Sequence, residues 1–476
     1  MTVTSRRADR RHDAIIVGAG MAGLLAADTL ARLRPASDVL VVDAGRAMAA
    51  RERYGSGDWG GYGGAGLFLG GRVYIGPAAI PVLPPTTLPP GIAPILDGEA
   101  YVAQAREVNA LLDTLGATAP LREVPNERLQ TAMDAAASAG LEYVTSYPAR
   151  FLSIDERLAV LRGLRQRLEE SGVRFRFETS VAAVERAEDG YRLRLTAAGR
   201  EDRGDTDGET LAARALLLAP GRYGAEWLVG VARALGVALN ALPPAFGVRL
   251  ELPLAAYAPL TEINPDPRLQ LALPSDALVK TYATIPGGMV TAVQRYGRLV
   301  ASAVPLAAGE KTSSTTLAVL VQPGVEGGAG EWAGAETFAA RLNARAPARL
   351  VIQRMADVRA GRATAAEMLA SNPLRPTYAE AMPGRLDDVY PPAYWRAFDE
   401  LLGRIARIAP GMLSDDALAY GPAEERFWHF PTDARLQTNL PRLFVAGDAA
   451  GQSQGIVQAA VTGLLAGEGL AARLDE

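Results

Sequence analysis

Cysteine is absent from this chain. That excludes disulfides, thiolate metal sites, a redox dithiol and any thioether link to a cofactor. Histidine is nearly absent: His12 and His429 are the only two, so a metal centre built from several imidazoles is excluded. Of 49 basic residues only Lys280 and Lys311 are lysine, a compositional bias towards arginine with no function attached. Net charge is −4, so no basic surface neutralises phosphates in bulk, and no nucleic-acid partner is expected. No apolar run reaches 18 residues, so no membrane span is expected and the protein reads as cytoplasmic.

What the chain does have is bulk. Its 476 residues, 49 % of them apolar, suit two domains with substantial cores. The fold class expected is α/β: a Rossmann-like nucleotide domain (a parallel sheet with a small antiparallel insert) beside an α+β substrate domain. Residues 1–12 read as a disordered leader. The nucleotide domain is expected from 13–80, 141–235 and 436–476, a helical insertion from 81–140, and the substrate domain from 236–435. A helix is expected over 153–170. A strand over 173–185 has a hairpin partner at 191–197, and 213–221 is a buried strand ending in a glycine turn. Residues 333–415 read as mostly helical. Residues 54–76 are glycine-rich, but Trp59, Tyr62, Phe68 and Tyr74 are interleaved among the glycines. That composition points to a loop whose backbone, Gly64 and Ala65 included, approaches something closely.

The sharpest motif follows the first apolar run. Gly18, Gly20 and Gly23 form G-x-G-x-x-G, with Met21 and Ala22 opening a helical pattern. The first glycine permits the tight turn, the second lets backbone amides meet a pyrophosphate, and the third lets helix and strand pack closely. Asp43 lies about twenty residues past Gly23, at the end of the next apolar run, where its carboxylate can accept bonds from ribose hydroxyls. Together these read as a dinucleotide site, with the helix start facing the phosphates.

The C-terminal stretch LFVAGDAAGQSQGI places Gly447 and Asp448 after a strand, and Gly455 and Ile456 at a helix start. This resembles the G-D motif of the glutathione-reductase-like FAD superfamily. The resemblance implies that Asp448 contacts the ribityl-pyrophosphate part of FAD, and that the following helix points its positive end at the flavin pyrimidine. LLLAPG resembles the family's middle motif, with Ala219 and Gly221 in place and Pro220 where threonine is usual. Val181 matches the strand whose backbone contacts adenine, and Arg46 a common basic position after the acidic residue. Nearly the whole chain is similar to a bacterial group of FAD-dependent, or NAD(FAD)-utilising, dehydrogenases, through stretches such as GGAGLFLGGRVY, LAPGRYGAEWL, FGVRLELP and YATIPGGMV. That group tends to carry cysteines where this chain has Ala283 and Ile285, and histidine in the place of Arg222. The cofactor implied is FAD, and the partner a small-molecule substrate.

In that superfamily hydride moves between substrate and flavin N5 beneath the second domain's sheet, and a nearby base takes the proton. The catalytic candidates are Tyr282, which precedes a Pro-Gly-Gly turn, and His429, the only histidine outside the expected leader. The expected activity is a dehydrogenase or oxidase of a small organic molecule, in specialised metabolism. Alternatives are a C=C reductase or monooxygenase using NAD(P)H, and an isomerase, cyclase or scaffold that retains FAD without net redox. The electron acceptor is left open.

Overall fold

The computed structural model describes residues 11–54, 60–75, 96–145, 147–198, 209–274, 277–295, 297–306, 310–323, 332, 334, 337–451, 453 and 455–475. The expected leader therefore lies outside the described residues as far as residue 10. Its last two residues are not leader: strand Arg11–Val17 begins there, with Arg11 and His12 paired to Ala212 and Ala213. His12 is buried, its Nδ1 3.2 Å from Asp38 Oδ1, so it belongs to the folded part and His429 is not alone there. Residues 55–59, Trp59 among them, 76–95, 199–208 and 324–330 also lie outside the described residues.

Apolar β-branched runs build the first sheet. Strands Arg174–Arg176, Val39–Val42, Arg11–Val17 and Thr210–Leu218 lie parallel in that order. Leu443–Val445 runs parallel to the far half of Thr210–Leu218. The near half pairs with the antiparallel hairpin Thr179–Ala187 and Gly190–Ala197. The single strand expected over 173–185 is therefore two, because Glu178, at φ 51°, turns the chain from the parallel sheet into the hairpin. Helices Met21–Leu33, Gly98–Thr114, Ile154–Glu170 and Ile456–Arg473 pack on one face, and Ala225–Leu235 on the other. Helix Ile154–Glu170 starts at Ser153 in a reciprocal capping box with Glu156, as its sequence dictates.

The second sheet has eight strands, in the order Met382–Pro383, Val351–Arg354, Leu418–Glu425, Ala245–Pro253, Ser314–Gln322, Leu278–Pro286, Arg268–Ala272 and Glu142–Val144. All neighbours are antiparallel except Val351–Arg354 with Met382–Pro383. Glu142–Val144 thus belongs to this sheet, although it falls in a range expected in the nucleotide domain. Helices Glu127–Ser138, Leu254–Thr261, Phe338–Arg345 and Pro392–Ile405 cover one face. The expected insertion is accordingly shared: Gly98–Thr114 packs in the first core and Glu127–Ser138 in the second. The stretch 333–415 is less helical than its composition suggests, since two strands interrupt it. A separate hairpin, Met289–Arg295 with Arg298–Val304, completes the second half. No described helix is long and apolar enough to cross a membrane.

Candidate active site

Parallel pairing brings the carboxyl ends of three strands side by side. Gly18 N donates to Val42 O at 2.8 Å and Ala219 N to Val17 O at 2.8 Å. The three motif glycines then act for three different reasons. Gly18 has φ +109°, and a Cβ there would lie 2.1 Å from Ala219 O. A Cβ on Gly23 would lie 1.9 Å from Gly18 O, so this glycine is what lets the helix sit on the turn. Gly20, the N-cap, has an unstrained φ of −79°, and a Cβ there would meet nothing nearer than Gly64 Cα at 3.9 Å. Its empty side faces space, as a pyrophosphate cradle requires.

The glycine-rich loop is held against this turn. Gly63 N donates to Ala19 O at 2.8 Å. Buried Arg51 donates Nη1 to Tyr62 O at 2.6 Å and to Gly64 O at 3.2 Å. Tyr62 is fully buried, edge-on to Phe175 and Phe177. The aromatics of this segment anchor a loop whose glycines make the close approach. Asp43 accepts from Ala19 N at 2.6 Å and Gly45 N at 2.7 Å. Burial pushes its carboxyl above the ordinary range in spite of these amides.

These elements open onto one cavity of about 790 Å³, towards the upper end of ligand-pocket sizes. Gly18, Gly20, Met21, Ala22, Asp43, Gly64 and Ala65 line one part of it. Val181, Ala219, Gly221, Gly447, Asp448, Gly455, Ile456 and Tyr282 line the rest. Gly23 and Arg46 are not among the lining residues: Gly23 is spent on helix packing, and the Arg46 carbonyl accepts from Tyr62 N at 3.0 Å. The Val181 carbonyl accepts from the Trp227 indole at 2.7 Å, and Trp227 also lines the cavity.

A charged chain crosses the cavity wall. Arg222 binds Asp448 through two nitrogens, at 3.1 and 3.2 Å, and Glu425 at 2.9 Å. Arg295 meets Glu425 from the other side at 3.2 Å. Burial opposes the charge on Arg222, but Asp448, Tyr282 and Glu425 outweigh it, so the guanidinium is held protonated. Burial likewise pushes the Tyr282 phenol above its ordinary range, although Arg222 pulls the other way. Tyr282 therefore enters the cavity at neutral pH as a phenol able to donate a hydrogen bond, and not as a base.

His429 departs from expectation. It sits on a two-residue strand paired with Asn240, is buried, and does not line the cavity. The cause is the turn after Asp448, which packs on the back of this strand so tightly that a Cβ on Gly451 would touch Trp428 O at 1.8 Å. Burial lowers the affinity of His429 for a proton. Sequence reasoning also missed Arg249. It lies in the run AFGVRLELP, between Val248 and Leu250, in a strand buried along almost its whole length. A cation inside an apolar strand was the available signal.

No protein-family model matches the chain, and no curated protein is similar to it in sequence. Among solved structures, glycine oxidase from Geobacillus kaustophilus is 16 % identical with a TM-score of 0.36, the match covering 98 % of this chain and 95 % of that one. The 3-ketosteroid-delta4-(5alpha)-dehydrogenase of Rhodococcus jostii is 15 % identical with a TM-score of 0.42, covering 98 % of each chain. Aklavinone-11 hydroxylase, solved with FAD and aklavinone, is 16 % identical with a TM-score of 0.39, covering 98 % of this chain and 63 % of that one. Likenesses this distant assign no activity to the chain.

Proposed function

We propose that this chain is an FAD-dependent oxidoreductase acting on a small organic molecule. The observation that carries the reading is the reach of the cavity. It runs from the Gly18–Gly23 turn and Asp43, past Gly447, Asp448 and Gly455, to the second sheet at Tyr282 and Ala318. An extended flavin dinucleotide spans this reach, and the empty side of Gly20 and the half-buried Asp43 carboxylate fit its pyrophosphate and ribose. Such a group, when bound, would supply the site for hydride exchange.

The remaining work falls to the chain. Helix Met21–Leu33 offers its positive end to the phosphates. Gly221, at φ +67°, and the turn at Asp448 bring the middle and C-terminal motifs together, and Arg222 ties them. Arg222, Arg295 and Glu425 fix charge beside the reacting region, and the Tyr282 phenol donates a hydrogen bond to whatever binds against Ala318. A cavity that continues past the glycine cradle into the second sheet favours a substrate site over a purely structural flavin.

Anaerobic addition of NADH or NADPH to the purified yellow protein tests the direction of chemistry. Flavin that stays oxidised supports a dehydrogenase or oxidase reduced by its own substrate. Bleaching by a nicotinamide alone would replace that reading with a reductase or monooxygenase.

A further inference from the structure

The second sheet has two distinct faces. Leu317, Val319 and Val321 pack with Val248 and Leu250 against the covering helices. Residues between them face the other way, and Ala318, Leu320 and Arg249 line the cavity. Arg249 and Tyr282 lie on the two strands flanking Ser314–Gln322, and both sit opposite Ala318. Two strand spacings place their backbones roughly 10 Å apart, across a floor made by one methyl group.

Arg249 is 3 % exposed. It donates Nε to Thr316 Oγ1 at 2.8 Å and Nη2 to the Ala283 carbonyl at 2.7 Å. Of the guanidinium's five N–H donors, two are used in these bonds and three remain. Among the described residues no carboxylate pairs with it. The other cations lining the cavity are matched: Arg222 by Asp448 and Glu425, and Arg295 by Glu425. A buried charge without a partner is costly, and proteins keep one where a ligand supplies the counter-charge.

The backbone is shaped around the same group. The register of Leu278–Pro286 slips between Tyr282 and Ile285. Within that bulge Ala283 holds φ +49°, and its carbonyl accepts from Arg249. Bulges of this kind re-aim groups beside active sites, and a non-glycine residue in this region is strained. Burial also lowers the guanidinium's proton affinity to a pKa of about 10, although the charges of Asp266 and Glu425, neither in direct contact with it, pull the other way.

We infer that Arg249, with the Tyr282 phenol across Ala318, is a subsite for a carboxylate group of the substrate. The planar fork of remaining N–H donors matches a carboxylate in two-point contact. Ala318, Leu320, Ala423 and Ile285 present apolar surface beside it, so the rest of the substrate is small and apolar. This inference rests on the oxidoreductase reading above, and names the class of molecule that the site takes.

Benzoate and its neutral counterpart benzamide serve as probes, titrated calorimetrically into the protein as purified and into R249M and R249K, with FAD content measured for each. The expected result is benzoate binding about tenfold or more tighter than benzamide in the wild type. R249M abolishes that preference, R249K keeps part of it, and all three hold the same FAD. Benzoate no tighter than benzamide in the wild type, or an undiminished preference in R249M, overturns the inference. Loss of FAD from both folded variants overturns it too, by assigning the charge to the cofactor. Where R249M fails to fold, R249K decides: weakened benzoate binding with FAD retained supports the subsite, and unchanged binding refutes it. A wild type without FAD refutes the flavin reading, and the same benzoate titration then decides the subsite separately.

Discussion

Two glycines in one motif should fail in opposite ways when changed to alanine. Gly20 has φ −79° and ψ 179°, which alanine adopts freely, and its new Cβ would meet only Gly64 Cα at 3.9 Å. G20A should therefore fold as well as the wild type, or be more stable by about 0.5 kcal/mol through a stiffer unfolded chain. The methyl would occupy the space proposed for the pyrophosphate. Losing one or two charge-assisted amide contacts costs about 3 kcal/mol, on the order of a hundredfold in FAD affinity. At Gly23 the added Cβ would lie 1.9 Å from Gly18 O and 3.1 Å from Gly18 C, backbone that cannot swing aside. The helix would have to retreat by roughly 1.5 Å to reach an ordinary contact, an overpacking cost of about 3 kcal/mol. Urea unfolding of the flavin-free proteins gives the stabilities, and fluorescence titration with FAD gives the affinities. G20A that binds FAD as tightly as the wild type would refute the cradle. G23A with wild-type stability would refute the packing argument.

The other expectations follow from the same site. Y282F should keep its FAD and bind benzoate about tenfold more weakly, because the inferred subsite uses the phenol as its second donor; unchanged affinity would remove Tyr282 from the site. H429N should leave both FAD content and flavin reduction unaltered, since His429 does not line the cavity, and a large loss of turnover would restore it as a base. Lys280 is buried, bonded to Gln322 at 2.7 Å, and pushed down from 10.5 to about 8, by burial first and then by Arg268. Between those values the unfolded chain binds more protons than the folded one, so stability should rise with pH from about 8 to 10.5. That rise is worth roughly 3 kcal/mol at most and should vanish in K280M; equal pH profiles for the two proteins would contradict it.

The first sheet and its glycine turns were legible because their constraints are local. A glycine turn, a carboxylate one strand later and a glycine-led C-terminal helix each declare themselves within a few residues. The structure gathers Gly18, Gly20, Asp43, Gly447, Asp448 and Gly455 around one cavity. The second half was read less well, because its site is assembled across strands. Arg249 and Tyr282 are 33 residues apart in sequence and meet only through Ala318, whose small side chain carries no motif. His429 misled because rarity and nearness to the final motif are not geometry: pairing with Asn240 takes it out of the cavity. The break at Glu178 and the placement of Glu142–Val144 depend on tertiary pairing that no periodicity within the segment reveals. Ala283 and Ile285 both line the cavity at the bulge beside Arg249. Absence of a thiol is thus a property of the site itself in this chain.

The central claim is that this cavity holds FAD. Heat release of the chromophore from purified protein, followed by its identification and quantification, tests this most directly. The account predicts FAD in equimolar amount with the chain, or its stoichiometric uptake when added to protein purified without it. A protein that carries no flavin and takes up none, or that binds a nicotinamide dinucleotide in its place, would contradict it.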